Sequence, residues 1–185
     1  TFLNRTALIS GASGGMLGIA YYRELFLQSQ SNKEIHLADK KYLDNIGKDL
    51  LNGVTTSIAM NDIFLPFRKI EYENHKYKKD RAYMFDKEFN ENTENVLNKK
   101  LSAYKQPERN AQIPMMIIGS TIINDQKMMY LSPQPIKYLL KPYIASNQTI
   151  NEYIGIDAIE FNTLFKNSGA ANINVVSALR MNATF

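Results

Sequence analysis

The stretch that decides the fold is Thr6-Ala7-Leu8-Ile9-Ser10-Gly11-Ala12-Ser13-Gly14-Gly15-Met16-Leu17-Gly18. Its first half is a short apolar run that ends at glycine, which is typical of a buried strand over residues 6–10. From residue 16 to residue 27, apolar side chains cover almost the whole circumference of a helix, and charge appears only at Arg23 and Glu24. This pattern predicts a buried helix. The chain therefore passes from a strand to a helix between residues 10 and 16.

The residues of this turn satisfy the pattern G-x-S-x-G with Gly11, Ser13 and Gly15. Between a strand and a helix, the pattern indicates a nucleophile elbow, here residues 9–18, with a reactive serine at the helix N-terminus. We expect a tight, partly strained turn in which the two glycines avoid clashes. Ser13 would be the nucleophile, and the backbone N–H of Gly14 would help to hold an oxyanion. The alternative is a glycine-rich turn without chemistry.

A serine hydroxyl is a poor nucleophile without a neighbouring base. The sequence has two histidines, His36 and His75, and we expect both to be surface groups because neither lies in a segment suited to precise geometry. A carboxylate base is favoured, although no aspartate stands at an obvious strand end facing Ser13. Cysteine is absent, which excludes a thiolate nucleophile and a cysteine-based metal site. We expect no metal and no organic cofactor.

The composition is that of an ordinary folded domain, with 185 residues, 44% of them hydrophobic and 22% charged. The net charge of +4 is too small to indicate a nucleic-acid partner. No apolar run approaches the ~20 residues that a membrane-spanning helix requires, and residues 1–5 do not resemble a signal peptide. Since α/β enzymes often need a longer chain, completeness is an open question.

Helices and strands alternate along the rest of the sequence. Ser31 and Glu34 fit a capping box before a helix over residues 39–52, with Gly53 as its C-cap. Asp80 is expected to cap a long helix that ends at Pro107, and residues 175–180 begin another helix. The expected strands are residues 114–121 and 128–131, which form a hairpin within residues 114–132, and residues 156–161. These elements predict an α/β fold with a central, mostly parallel sheet flanked by helices.

Residues 68–81 are polar and predict a loop or insertion. They interleave six basic residues with Tyr72 and Tyr77. A solvated loop is the favoured interpretation. The alternative is a transient contact with anionic lipid headgroups, since lysine and arginine are attracted to such a surface and tyrosine favours the interface.

The first turn also resembles the opening of a short-chain dehydrogenase, whose glycine turn holds a dinucleotide pyrophosphate. That spacing requires glycine at position 17, where this sequence has leucine, with Gly18 one place late. Tyr72-x-x-x-Lys76 and Tyr83-x-x-x-Lys87 formally match the Tyr/Lys pair of that family. A nucleotide-dependent oxidoreductase is therefore one alternative function, and a non-catalytic domain that retains the glycine turn is another.

A second resemblance covers almost the whole chain. Residues 10–18 resemble the nucleophile segment of the patatin-like phospholipases, and the later stretches that are similar to that family are residues 80–87, 117–121 with 129–132, and 178–185. The resemblance implies a three-layer α/β fold and a Ser/Asp dyad without histidine. It implies that Ser13 attacks a carboxylic ester of a phospholipid or lysophospholipid and forms an acyl-enzyme.

The same resemblance implies that residues 1–185 are a central fragment of a larger catalytic domain. The glycine-rich oxyanion loop of the family would precede the chain, and the base aspartate would follow Phe185. The fragment alone would then have little or no activity. Asp44, Asp62, Asp125 and Asp157 are not expected to act as the base.

Overall fold

The computed structural model describes residues 2–65, 67–72, 75–140 and 158–183. Within these ranges the α-helices are α1 (Ser13–Ser29), α2 (Lys40–Ile46), α3 (Leu51–Ser57), α4 (Arg81–Asn92), α5 (Lys105–Arg109), α6 (Phe161–Leu164) and α7 (Val175–Ala183). The strands are β1 (Leu8–Gly11), β2 (Lys69–Tyr72), β3 (His75–Lys78), β4 (Met115–Ile122), β5 (Lys127–Leu131) and β6 (Ala158–Glu160). A π-helix over Ile58–Phe64 continues α3, and short 3₁₀ turns complete the described chain.

The central sheet has the strand order β1-β4-β5-β6. β1 runs parallel to β4, with Gly11 opposite Ile118, so the carboxyl ends of these two strands share one edge of the sheet. β5 is antiparallel to β4, and β6 is parallel to β5. Parallel pairings therefore prevail in the described sheet, and helices flank it. The predicted α/β class, with a mostly parallel sheet, is confirmed.

α1 forms the middle of the core. Met16, Ala20 and Leu25 are each no more than 2% exposed, as the all-round apolar pattern of residues 16–27 predicts. α7 packs against α1, against β4 and against α4. The C-terminal half of α7 thereby reaches the sheet edge from which the elbow emerges.

The predicted hairpin within residues 114–132 is confirmed. β4 and β5 pair from Ile118 opposite Leu131 to Ile122 opposite Lys127. Gln126, at a φ of 52°, completes the turn between them. The expected strand over residues 156–161 is present as β6 over Ala158–Glu160; residues 156 and 157 lie outside the described residues, and Phe161 begins α6 instead. The helix expected from residue 175 is α7.

The prediction of one continuous helix over residues 39–52 is wrong, because two helices lie there. α2 ends at Ile46 with Gly47 as its C-cap, and a new helix starts because the Asp49 side chain accepts hydrogen bonds from the backbone of the next turn, including Leu51 N–H at 2.9 Å. Gly53 lies inside α3 instead of capping a helix. The capping box is also absent, since the backbone N–H of Glu34 donates to the Asn32 side chain.

The helix predicted from Asp80 to Pro107 is shorter than expected. Asp80 does cap it, accepting a hydrogen bond from Tyr83 N–H at 3.1 Å. α4 ends at Asn92 because Glu94 and Asn95 adopt left-handed φ values of 55° and 58°. Pro107 lies within α5.

The basic segment 68–81 is not a loop. Within it, β2 and β3 form an antiparallel pair, called the basic hairpin below, with Lys69 opposite Lys78 and Glu71 opposite Lys76. Charged residues do alternate with Ile70 and Tyr77 along this ribbon. Each strand has only four residues, however, and the high charge of the segment favoured a loop.

Candidate active site

Ser13 occupies a strained strand-to-helix turn. β1 ends at Gly11, Ala12 is extended with φ −128° and ψ 147°, and α1 begins at Ser13 itself. The φ of Ser13 is 51°, a left-handed conformation that costs a non-glycine residue about 1–3 kcal/mol. The serine is exposed. The expected partly strained turn is therefore present, and its strain lies at the proposed nucleophile.

The first turn of α1 offers free backbone N–H groups. The N-cap residue Ala12 has no side-chain oxygen to accept from them, and the first turn carries no acidic residue. The first backbone bond of the helix runs from Met16 N–H to Ala12 O at 3.4 Å, so Gly14 N–H has no backbone acceptor among the described residues. These groups stand at the positive end of the dipole of a 17-residue helix. They can stabilise an anion beside Ser13.

The glycines do not have the steric role that the sequence suggests. A Cβ at Gly14 or Gly15 would meet nothing within 4 Å, and one at Gly11 would lie 3.6 Å from Met16 N, an ordinary contact. The expectation that side chains at positions 11 and 15 would clash with their surroundings is therefore wrong, as far as the described residues around them show. Glycine here leaves open space around the serine instead.

Asn182 holds the base of the elbow. Its side-chain amide, near the end of α7, donates to Gly11 O at 3.0 Å and to Gly119 O at 2.6 Å. The opposite amide orientation would place its oxygen against two carbonyl oxygens, so the donor assignment follows from the geometry. Asn182 Oδ1 is buried without a hydrogen-bond partner among the described residues. The residue thus joins Gly11, the last residue of β1, to Gly119 in the middle of β4, directly before the turn.

The sequence pattern did not single out Asn182 as a site residue. It lies in the stretch 178–185, whose resemblance to the patatin-like phospholipases indicated only a segment before the base aspartate. The signal that could have found it is a polar residue on the apolar helix α7, which otherwise buries Val176 and Leu179. Which backbone groups it would contact depends on packing between segments 63 and 171 residues apart.

No carboxylate is hydrogen-bonded to Ser13 in the described ranges. Asp44, Asp62 and Asp125 make no such contact, and Asp157 lies outside the described residues. His36 and His75 are both exposed, and the ring of His75 lies edge-on to Tyr77 on the basic hairpin. The structure therefore brings Ser13 and the Gly14 N–H together but places no base beside them among the described residues.

A different serine does contact an aspartate. Ser177 donates to Asp86 Oδ2 at 2.6 Å, and Arg180 donates to Asp86 Oδ1 at 2.9 Å. Burial raises the pKa of Asp86, against the opposing effect of these two donors. This pair lines a cleft of about 580 Å³ between α4, α7 and the basic hairpin. Ser177 lies in the first turn of α7, but the first two N–H groups of that turn are taken: Val175 N–H donates to Lys99 O and Val176 N–H donates to Asn174 Oδ1.

Two clefts of the described chain, of about 390 and 580 Å³, contain no residue of the elbow in their linings. Over the same residues, no group of three or more His, Asp or Glu side chains is placed to hold a metal ion. None of the described helices has the length and apolarity needed to cross a membrane.

The residues of the dehydrogenase resemblance lie apart from the turn. Tyr72 and Lys76 stand on the two strands of the basic hairpin. Tyr83 and Lys87 lie one turn apart on α4, where Lys87 pairs with Glu91 at 3.5 Å. Leu17, at the position that would need glycine, is buried in the core.

Comparisons with known proteins identify no family for this chain. No protein-family model, curated protein or solved structure matches the chain.

Proposed function

We propose that Ser13 is the nucleophile of a lipid ester hydrolase that resembles the patatin-like phospholipases. The observation that carries the proposal is the left-handed φ of Ser13 at the junction of β1 and α1. Glu94, Asn95, Ala111 and Gln126 share this φ at other turns, so the support comes from its position, between a strand and the first turn of a 17-residue helix. The elbow geometry exposes the hydroxyl while the strand and the helix hold its backbone.

In this proposal Ser13 Oγ attacks the carbonyl carbon of a phospholipid or lysophospholipid ester, and an aspartate outside the described residues accepts its proton. The oxyanion of the tetrahedral intermediate accepts a hydrogen bond from Gly14 N–H, whose freedom from other backbone acceptors supports the assignment. The alcohol leaves with the proton, and water then hydrolyses the acyl-enzyme with the same aspartate as base. This chemistry uses only protein groups and water.

Exposure of the elbow limits what it does alone. Hydrogen bonds to an oxyanion stabilise it strongly only where water is excluded. Since Ser13 and Gly14 are exposed in the described structure, activity requires further segments that cover the turn and supply the base. The proposal is therefore made for the complete protein.

The same helix N-terminus also supports a rival. Free N–H groups at the start of α1 suit the phosphate of a dinucleotide as well as an oxyanion, so a nucleotide-dependent oxidoreductase is the second candidate. A ligand of that class would stabilise the folded protein against heat, by an amount that grows with the logarithm of its concentration relative to Kd.

The test is ester turnover by the full-length protein with phosphatidylcholine and lysophosphatidylcholine as substrates. Ser13→Ala should reduce turnover about a thousandfold or more, because the covalent step loses its nucleophile. Ser177→Ala is the matched control, since it removes the serine that already contacts an aspartate. Turnover unchanged by Ser13→Ala, or abolished by Ser177→Ala, would contradict the proposal. Thermal stabilisation by NADPH without ester turnover would favour the oxidoreductase.

A further inference from the structure

A cluster of large apolar side chains is exposed on and after the π-helix. We define the apolar ridge as Met60, Ile63, Phe64, Leu65 and Phe67, which are 47%, 66%, 72%, 38% and 86% exposed. Single exposed apolar residues are common on protein surfaces, but five within eight positions form a candidate interaction site. A π-helix is itself rare and is frequently associated with function.

Cationic side chains lie directly beside the apolar ridge. The backbone continues from it into the basic hairpin, where Arg68 N–H donates to Leu65 O at 3.3 Å and Lys79 N–H donates to Arg68 O at 2.9 Å. A cleft of about 390 Å³ separates the π-helix from the hairpin. Its cationic lining residues are Arg68, Lys78, Lys79, Arg81 and Arg180.

The carboxylates near this cleft leave part of the positive charge unpaired. Asp62 approaches Arg81 at 4.0 Å, Asp86 binds Arg180, and Asp80 caps α4. Arg68, Lys69, Lys78 and Lys79 make no ion pair with any described residue.

The hairpin places two of these unpaired cations directly opposite each other. Lys69 and Lys78 are cross-strand partners, so their side chains stand on the same face. Like charges in such a pair destabilise a two-stranded ribbon. An external anion bound between them would relieve this repulsion.

We propose that the apolar ridge and the basic hairpin form one docking surface for an anionic phospholipid membrane. The ridge side chains enter the boundary of the hydrocarbon, and the cations of the hairpin and cleft contact lipid phosphates. Each lysine or arginine near an anionic bilayer contributes about 1 kcal/mol, and buried apolar area adds to it. A membrane is the partner that matches both halves of the surface.

Other kinds of partner match only the apolar ridge or only the basic hairpin. A two-fold contact centred on this surface would bring the cations of the two basic hairpins near each other. A nucleic acid would match the cations, but it would leave Phe64 and Phe67 without an apolar environment. Docking does not depend on Ser13, so this inference stands or falls separately from the proposed hydrolase.

The test is co-sedimentation of the full-length protein with vesicles of phosphatidylcholine alone or with about 30% phosphatidylserine. We expect binding to the mixed vesicles that weakens as salt is added. Phe64→Ser/Phe67→Ser should weaken binding at least about tenfold. Lys69→Glu/Lys78→Glu should reduce binding to the mixed vesicles to the level measured with phosphatidylcholine alone.

Matched controls separate the surface from general effects of polarity and charge. Ile123→Ser removes an apolar side chain that is 88% exposed at the β4–β5 turn, and Lys33→Glu/Lys48→Glu reverses two exposed charges elsewhere. Both control variants should bind as the wild type does. Circular dichroism of all variants checks that they are folded.

Three results would overturn the proposal. The first is vesicle binding unaltered in the folded ridge variant. The second is binding that does not depend on phosphatidylserine. Binding that millimolar inorganic phosphate abolishes, while the ridge variant binds as the wild type does, would also count, because it would indicate a free-phosphate site. The third is no vesicle binding together with a dimer in light scattering that the ridge variant loses, which would assign the surface to self-association.

Discussion

At the scale of single residues, the φ of Ser13 is the feature with the most direct energetic consequence. A left-handed backbone brings Cβ close to the following carbonyl oxygen and costs about 1–2 kcal/mol for any residue except glycine. Glycine adopts such a φ without this cost, as Gly169 does at 67°. Glu94, Asn95, Ala111 and Gln126 also have left-handed φ values, so Ser13 shares this cost in stability with other turns of the described chain.

Replacement of Ser13 by glycine should stabilise the fold relative to replacement by alanine. Ser13→Gly relieves the Cβ strain whereas Ser13→Ala keeps it, so we expect about 1 kcal/mol between the two in the free energy of unfolding. Urea denaturation measures this difference. At Ser29, at the other end of α1, the order should be reversed, because alanine is about 1 kcal/mol better than glycine in a helix. Equal stability of the two Ser13 variants would argue against strain.

Asn182 is expected to act on the reaction through the position of the elbow. Asn182→Ala removes the two donors to Gly11 O and Gly119 O, each worth about 0.5–1.5 kcal/mol. We expect kcat for ester hydrolysis to fall about tenfold with little change in KM, since the substrate still binds while Ser13 is misplaced.

The control for this effect is Asn162→Ala, which removes a similar bond, from an asparagine amide to Ser132 O at 3.0 Å, away from the elbow. It should lower thermal stability without changing kcat. If both variants lose stability equally and neither changes kcat, Asn182 has a structural role only.

At the scale of elements, local patterns predicted the parts of the fold whose signals are local. The apolar circumference of residues 16–27 predicted α1, the turn residues after β4 predicted the hairpin, and Asp80 predicted the start of α4. The continuous helix over residues 39–52 failed because Asp49 begins a second helix, a competition between side-chain and backbone hydrogen bonds. The basic hairpin was missed because its strands are short and highly charged.

The glycines of α1 and α3 should respond differently to alanine. Gly15 has open space around its Cβ position, so Gly15→Ala should raise the free energy of unfolding by about 0.5–1 kcal/mol. At Gly53 the added Cβ would lie 2.8 Å from Glu88 Oε1, so Gly53→Ala should give no gain unless that side chain moves. Thermal unfolding monitored by circular dichroism compares the two. A loss of stability in Gly15→Ala would show an additional steric role.

At the scale of the whole molecule, a buried charge network joins α1 to α5 and β4. Arg23, 1% exposed, donates to Pro114 O at 2.9 Å and pairs with Glu108 at 2.5 Å, and Glu108 also accepts from Met116 N–H. Burial lowers the pKa of Arg23 and raises the pKa of Glu108, so removal from water disfavours the charged form of each. The sequence showed only two charges on an apolar helix and not their partners.

Disruption of both members of this pair should cost less than the sum of the two separate disruptions. Arg23→Met or Glu108→Gln alone leaves an unpaired buried charge and should reduce stability by about 3 kcal/mol. The double variant should lose less than the sum of the two, with a coupling of about 1–3 kcal/mol. A double-mutant cycle in urea measures it, and additive losses would show that the ion pair contributes nothing beyond its separate hydrogen bonds.

In the candidate site, too, the parts formed by residues close in sequence were predictable and the parts formed by residues distant in sequence were not. Ser13 and the Gly14 N–H were predictable because a strand, a turn and a helix that follow one another in sequence position them. The contact of Asn182 with the elbow was not predictable, because it depends on the packing of α7 on β4. The apolar ridge also went unnoticed, since sequence alone does not reveal which apolar side chains remain exposed.

The most direct test of the central claim is mass-spectrometric mapping of a fluorophosphonate adduct on the full-length protein. The account predicts one modified serine, Ser13, with labelling abolished in Ser13→Ala and retained in Ser177→Ala. An adduct on Ser177 or another serine, or no adduct in a protein that hydrolyses phospholipid esters, would contradict the assignment of Ser13 as the nucleophile.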